Sequence, residues 1–281
     1  MHDVLLSIVI VTWNTRMQIL NCLESILHLK DYETFKDKLE ITVIDNNSSD
    51  DTPSEIERNF TSVRLIKNNK NLGYAPACNQ GMKTAKGKYV LLLGSDTMVK
   101  NYSLIKCIQF LENNPECGAV GCRLIYPDGN TQGNCKKFPS LKNAIFTYMS
   151  LNFLNKDYDM LWFNYDKTIE VEQIATTFLM VRNDTLKKIN YFDEQYKIMY
   201  NDVDLCEKIW NTDKKIFFLH DAEVIHHGSL STGKAKPGVR KIMYNDIYRY
   251  YRNNYGRSAV ALIPILFLRF MFVSLSKHKC H

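Results

Sequence analysis

Polar residues cluster where apolar runs stop. Thr12-Trp13-Asn14 closes the run that begins at Leu5 (LLSIVIVT), Asp45-Asn46-Asn47 follows EITVI, and Gly94-Ser95-Asp96 follows YVLLL. Hydroxyls, amides and carboxylates gathered at such points can hydrogen-bond a polar ligand. Further along stand Asp202 and Asp204 in YNDVDL, then His226-His227 after VI. Next comes the basic stretch GSLSTGKAKPGVR (228–240). Its Lys234, Lys236 and Arg240 suit either a loop closing over phosphates or a plain linker. GxGxxG does not follow the first run and GxxxxGK[ST] is absent throughout, which argues against a dinucleotide enzyme or a P-loop NTPase. The eight cysteines form no CxxC pair and no zinc spacing with histidine, so reduced, mostly buried thiols are expected.

The elements that must position these residues alternate in type over the first 120 residues. Leu5 to Thr12 is a continuous β-branched run, as for a strand buried on both faces. Asn14 and Thr15 can cap a helix whose Ile19, Leu20, Leu23, Ile26 and Leu27 recur at helical spacing. Strand 40–44, helix 53–59, strand 63–66, helix 75–85 and strand 89–93 follow. That alternation predicts a doubly wound α/β sheet, in which ligands bind beyond the carboxyl ends of the strands. The second half predicts strands at 120–126, 177–182, 215–219 and 222–225, and helices at 183–189 and 204–210, with Asp204 as a helix cap. Residues 140–170 are rich in aromatics without clear breaks.

Charge separates body from tail. Residues 231–281 carry ten Lys and Arg against the single acid Asp246, a local +9 within a total of +6. The run 259–275 is apolar but interrupted by Pro264 and Arg269, marginal for crossing a bilayer. Its basic flanks suit a helix lying on an anionic membrane surface; a terminal helix packed on the body is the alternative. The start, Met1 into an apolar stretch without basic residues or a cleavage site, reads as a first strand and not as a signal peptide.

Seven ordered pieces resemble the inverting family 2 glycosyltransferases of GT-A fold, above all their bacterial rhamnosyltransferase-like branch. They are SIVIVTWN (7–14), VIDNNSSDDT (43–52), NLGYAPACNQGMKTAKGKYVLLLGSD (71–96), PDGNTQ (127–132), FLMVR (178–182), YFDEQYKIMYNDVDLCEKI (191–209) and VIHHGSLS (224–231). The resemblance covers about residues 5 to 232. It implies a Rossmann-like, mostly parallel sheet flanked by helices in a domain spanning 1–232, with a basic and apolar helical extension over 233–281.

The implied chemistry is sugar transfer from a nucleotide diphosphate-sugar, UDP- or dTDP-linked, to a hydroxyl of a glycan or lipid-linked acceptor in surface polysaccharide synthesis. The resemblance places the nucleoside at Thr12, Asn14, Asp45 and Asn47, with Asp45 accepting the imide N–H of the base; Asn79 could line the same pocket or cap its own helix. A divalent cation, Mg²⁺ or Mn²⁺, would sit on Asp96 with His226 as second ligand and His227 as the lesser choice. Asp202 would be the catalytic base, activating the acceptor hydroxyl for a single inverting displacement. Two departures stand out: the family's first metal carboxylate is replaced in Gly94-Ser95-Asp96, and the Glu of its Glu-Asp pair is Asn201. A non-catalytic nucleotide-sugar-binding relative is therefore an alternative. A nucleotidyltransferase is another, although TWNTRMQ lacks the glycine such enzymes carry after the first strand. The expected location is cytoplasmic, peripheral on the inner membrane face, with no nucleic-acid partner.

Overall fold

The computed structural model describes residues 4–228 and 237–276. Strand β1 (Leu6–Thr12), helix α1 (Arg16–Leu27), β2 (Leu39–Asp45), α2 (Thr52–Asn59), β3 (Arg64–Lys67), α3 (Tyr74–Thr84) and β4 (Tyr89–Gly94) alternate as the residue pattern predicts. β5 (Thr97–Val99), α4 (Ser103–Asn113) and β6 (Cys117–Ile125) follow, then the short strands β7 (Thr131–Gln132) and β8 (Cys135–Lys136). After α5 (Leu141–Tyr148) and the short β9 (Ile169–Glu170) and β10 (Gln173–Ile174), the chain enters β11 (Phe178–Arg182), α6 (Asn183–Lys188), α7 (Asn201–Trp210) and β12 (Lys215–His226). It ends in α8 (Pro237–Tyr255), a 3₁₀ turn at Gly256–Ala261, and α9 (Leu262–Ser276).

The main sheet runs β3-β2-β1-β4-β11-β6-β12-β5. β1 pairs in parallel with β2 and β4, and β6 with β12; β11 and β5 run antiparallel to their neighbours. The sheet is thus mostly parallel, and its strand order reverses beside β1. Alternate side chains feed two cores: Leu6, Ile8 and Ile10 pack with α1, α2 and α4, while Val9 and Ile44 pack with α3 and α7. The two strands expected at 215–219 and 222–225 are one strand, β12, with a bulge between Leu219 and Glu223. Asp204 is not a cap: α7 starts three residues earlier, after Tyr200 turns the chain through φ 64°, and Asp204 instead pairs with Lys208 at 2.8 Å. The seven cysteines among the described residues are buried and unpaired.

The basic tail docks on the body through α8. Ile247, Tyr250 and Tyr251 are buried in a third core with Tyr196 and Val203. Asp246, the tail's one acid, is 1% exposed, and its Oδ2 accepts the N–H groups of Lys197, Ile198 and Met199 at 3.0, 2.8 and 3.1 Å. Asp246→Ala would leave three part-buried N–H donors without their acceptor. It is expected to cost about 3–5 kcal/mol and lower the melting temperature by roughly 10 °C, read by denaturant and thermal unfolding. In the apolar run, Pro264 sits in the first turn of α9, where its missing N–H costs nothing. Arg269 reaches the C-terminal end of α5, donating to the carbonyls of Thr147 (3.4 Å) and Tyr148 (3.1 Å) and to Ser150 Oγ (2.9 Å). Among the described residues no helix is long and apolar enough to cross a membrane.

Candidate functional site

The reversal of strand order beside β1 opens a crevice of about 620 Å³. Thr12, Trp13 and Thr15 from the end of β1, Asn46, the Asn71–Tyr74 turn, Ser95, and Lys197-Ile198 line it; Val239, Ile242 and Met243 of α8 close it. The tail therefore meets this cavity beyond residue 240. Of the basic stretch 228–240, residues 229–236, with Lys234 and Lys236, lie outside the described residues. A file of hydroxyls crosses the floor, Thr12 Oγ1 to Thr15 Oγ1 at 2.7 Å and Thr15 Oγ1 to Ser95 Oγ at 3.3 Å.

Asp45 lies beside Thr12 in the β1–β2 register and is 2% exposed. One carboxylate oxygen accepts Ser48 N–H at 3.1 Å, closing an Asx-type turn. The other, Oδ1, is buried with no partner among the described residues, an acceptor held ready for a donor such as an imide N–H. Asn14 uses its oxygen on Ser49 N (2.7 Å), tying the β1 and β2 ends together, and is exposed. Asn47 turns out to solvent at φ 66°, and Asn46 takes the inward place. The Asn46 amide binds Asn71 Oδ1, Gly73 O and Leu72 N within 3.1 Å, so it shapes the crevice wall. Asn79 is buried away from the crevice, its amide joined to the Phe192 backbone on both sides and to Glu194.

Asp96 and His226 come together because Thr97 and His226 are register partners in the β5–β12 ladder. His226 Nε2 stands 3.4 Å from Asp96 Oδ2 and its Nδ1 is 2.6 Å from Gln132 Oε1; the residue is 8% exposed. Asp96 also faces a small cavity with Gln18, Asn21 and His227, next to the crevice wall formed by Ser95. At Gly94 a Cβ would lie 3.1 Å from Asp96 Oδ1 and 3.3 Å from Thr97 Cγ2. The absent carboxylate thus leaves room in which the remaining one folds back. Among the described residues no three His, Cys, Asp or Glu side chains converge. A divalent cation placed here would have one carboxylate and one imidazole within reach, Asp96 and His226, and would need further ligands from outside the chain.

Asp202 lies in a second cavity of about 410 Å³. Lys197 and Ile198 face the crevice; Met199, Tyr200, Asp202 and Val203 face this pocket, so one short segment divides the two. Four tyrosines, 148, 158, 200 and 251, line it with Gln173 and Lys136. Tyr200 OH lies 3.1 Å from both Tyr148 OH and Tyr251 OH. Burial pushes the Tyr148 phenol up to about 12 and raises the other three, so all remain neutral hydrogen-bonding groups. Asp159 is held by Lys136 at 2.6 Å. Burial pushes the Asp202 carboxyl above the ordinary carboxylate range, opposed by the Val203 N–H that it accepts at 2.9 Å. Asn201, in the place of the family's Glu, accepts the Asp202 N–H at 2.8 Å. Such a pocket of neutral aromatic hydroxyls around a basic carboxylate suits a sugar ring that must lose a hydroxyl proton. The aromatic density of 140–170 was the sequence signal for it.

A mostly parallel sheet, a ligand crevice where its order reverses, and a carboxylate just after β4 define the GT-A glycosyltransferase class. The chain belongs to glycosyl transferase family 2, whose family model matches residues 7–217. It is 24% identical over 209 residues to the N-acetylglucosaminyl-diphospho-decaprenol L-rhamnosyltransferase of Mycobacterium tuberculosis, covering 69% of this chain and 68% of the relative. It is 27% identical over 241 residues to the Escherichia coli UDP-Glc:alpha-D-GlcNAc-diphosphoundecaprenol beta-1,3-glucosyltransferase WfaP, covering 84% of each. Among solved structures, GalNAc-T7 with UDP, GalNAc and Mn²⁺ superposes with a TM-score of 0.65 at 15% identity, over 88% of this chain and 48% of that one. The mannosyltransferase PcManGT of Pyrobaculum calidifontis, with GDP-Man and Mn²⁺, gives 0.59 at 18% identity, over 93% and 68%.

Proposed function

We infer that this glycosyltransferase moves a sugar from a nucleotide diphosphate-sugar to a hydroxyl of a glycan or lipid-linked acceptor in surface polysaccharide synthesis, with inversion at the anomeric carbon. The observation that carries this reading is the pair of cavities divided by the segment 197–202, with the half-buried carboxylate of Asp202 on the far side from the strand-end crevice. The crevice would take the donor: the exposed Trp13 in its lining offers the base an aromatic face, and Asp45, just behind the lining residues Thr12 and Asn46, would turn its unpartnered Oδ1 to the N3–H that uracil and thymine share. Asp202 accepts the acceptor hydroxyl's proton as that oxygen bonds to the anomeric carbon; the carbon's bond to the diphosphate breaks, and its electron pair leaves with the nucleoside diphosphate. Asp96 and His226 would hold Mg²⁺ or Mn²⁺, which when bound supplies positive charge to the leaving diphosphate. The M. tuberculosis and E. coli relatives carry diphospho-polyprenol acceptors in their names, which supports a lipid-linked acceptor.

The tail would bring the active site to such an acceptor at a membrane surface on the cytoplasmic side. Ile263, Phe267, Leu268 and Met271 of α9 are exposed, in a segment flanked by Arg257 and by the lysines at 277 and 279. The double change Phe267→Glu, Leu268→Glu is expected to weaken partitioning onto anionic vesicles at least about tenfold in flotation, without changing soluble turnover. The function itself is tested with a panel of UDP- and dTDP-sugars, scored by nucleotide release with acceptor present, with and without divalent metal. Release from no donor under any condition would defeat the reading in favour of a binding relative.

A further inference from the structure

The hairpin that joins β6 to β7 touches the strand-end site through one side chain. Its turn is built by Pro127-Asp128-Gly129-Asn130: Gly129 takes φ +87°, Asp128 Oδ1 accepts Asn130 N at 2.9 Å, and Tyr126 N donates to Asn130 O at 2.8 Å. The turn fixes the register, so that Gln132 lies opposite Leu124 on one edge of β6 while Val224 of β12 lies opposite the same Leu124 on the other. His226, two residues beyond Val224, therefore shares the sheet face of Gln132. Gln132 Oε1 meets His226 Nδ1 at 2.6 Å.

A carboxamide oxygen only accepts, so the Nδ1 it faces carries a proton. A neutral imidazole has one ring proton, and placing it on Nδ1 leaves Nε2 with a bare electron pair. Nε2 is the atom that faces Asp96 Oδ2 at 3.4 Å. Two electron-pair donors directed at each other are unfavourable unless positive charge lies between them. We propose that Gln132 is a positioning residue: it holds His226 in the Nδ1–H tautomer, so that Nε2 and Asp96 present paired donors to a divalent cation. This rests on the assignment of Asp96 and His226 as the cation site. The last residue of PDGNTQ thereby gains a role that its distance in sequence from both ligands concealed.

The test uses the full chain without sugar and two readouts. Long-range ¹H–¹⁵N correlation reads the tautomer of the neutral His226 ring in the wild type, in Gln132→Met, which removes the acceptor at similar volume, and in Gln132→Glu, which keeps it. Mn²⁺ titration followed by electron paramagnetic resonance reads affinity in the same proteins and in Asp96→Ala, with thermal unfolding to establish that each folds. The wild type and Gln132→Glu are expected to show Nδ1–H. Gln132→Met should shift the ring toward Nε2–H and weaken Mn²⁺ binding about 10–100-fold. An Nε2–H tautomer in the wild type, as a reversed carboxamide would impose, overturns the proposal, and so does a tautomer unmoved by Gln132→Met. If the tautomer moves but Mn²⁺ binds equally to wild type, Gln132→Met and Asp96→Ala, the cation site itself is refuted and the proposal with it.

Discussion

Asp202→Asn is expected to reduce sugar transfer by about 10²–10⁴-fold while leaving nucleotide-sugar affinity within about twofold, measured by steady-state transfer and by calorimetry. Asparagine matches aspartate in shape and can still accept the Val203 N–H, so the pocket keeps its form. What it cannot do is take a proton from the acceptor. Donor binding is spared because the carboxylate lines the tyrosine pocket and not the strand-end crevice. Burial raises the Asp202 carboxyl above the ordinary range, and the base works only when ionised. The acid limb of kcat/KM should therefore lie at higher pH than an exposed aspartate would set, and Asp202→Asn should lack it. Stability moves the other way. Between the ordinary carboxylate pKa and the raised one the folded state holds the proton more tightly than the unfolded chain, so stability falls as pH rises through that window. The wild type carries that cost at neutral pH and the asparagine variant does not, so the variant should be at least as stable. Undiminished transfer by a folded Asp202→Asn protein would remove Asp202 from the chemistry.

The parts of the molecule that sequence reading located best are those governed by local pattern. β1, β2 and β4 are buried on both faces and stand out as unbroken β-branched and leucine runs, so their ends, with Thr12, Asp45 and Asp96, fell where expected. The choice between Asn46 and Asn47 was not legible, because a positive φ at Asn47 reverses which neighbour points inward and no periodicity announces it. Two charges of the tail were not legible for a related reason. Asp246 and Arg269 look like stray charges in a basic, apolar segment, yet each satisfies backbone groups of a distant element, the N–H groups of 197–199 and the carbonyls ending α5. Side chains that serve remote backbone carry no sequence signature, since their partners have no residue identity to match. The tyrosine pocket was only half legible: Tyr148 and Tyr158 belong to the aromatic stretch 140–170, whereas Tyr200 and Tyr251 reach the same cavity from distant segments that no local period connects.

Asp96→Ala should abolish measurable transfer, a loss of at least about 10³-fold, and should abolish Mn²⁺ binding in the same protein. The expectation is severe because the site has so little redundancy. Gly94 precedes Ser95-Asp96 with no carboxylate of its own, and among the described residues no third acidic, cysteine or histidine side chain converges on Asp96 and His226. His226 by itself offers one ring nitrogen, with Gln132 on the other, and brings no negative charge to balance a divalent cation. With the carboxylate gone, the leaving diphosphate would have to depart with its charge unscreened. Asp96→Asn separates charge from shape: it keeps the side chain in the space that Gly94 leaves open but lacks the negative charge, and it should fall nearly as far as alanine. If Asp96→Asn instead retained most activity, the carboxylate would be acting through its packing against Thr97 and Gly94. Full transfer by the wild type in excess chelator would remove the cation from the reaction altogether, because then neither Asp96 nor His226 would be holding a metal on which the departure of the diphosphate depends.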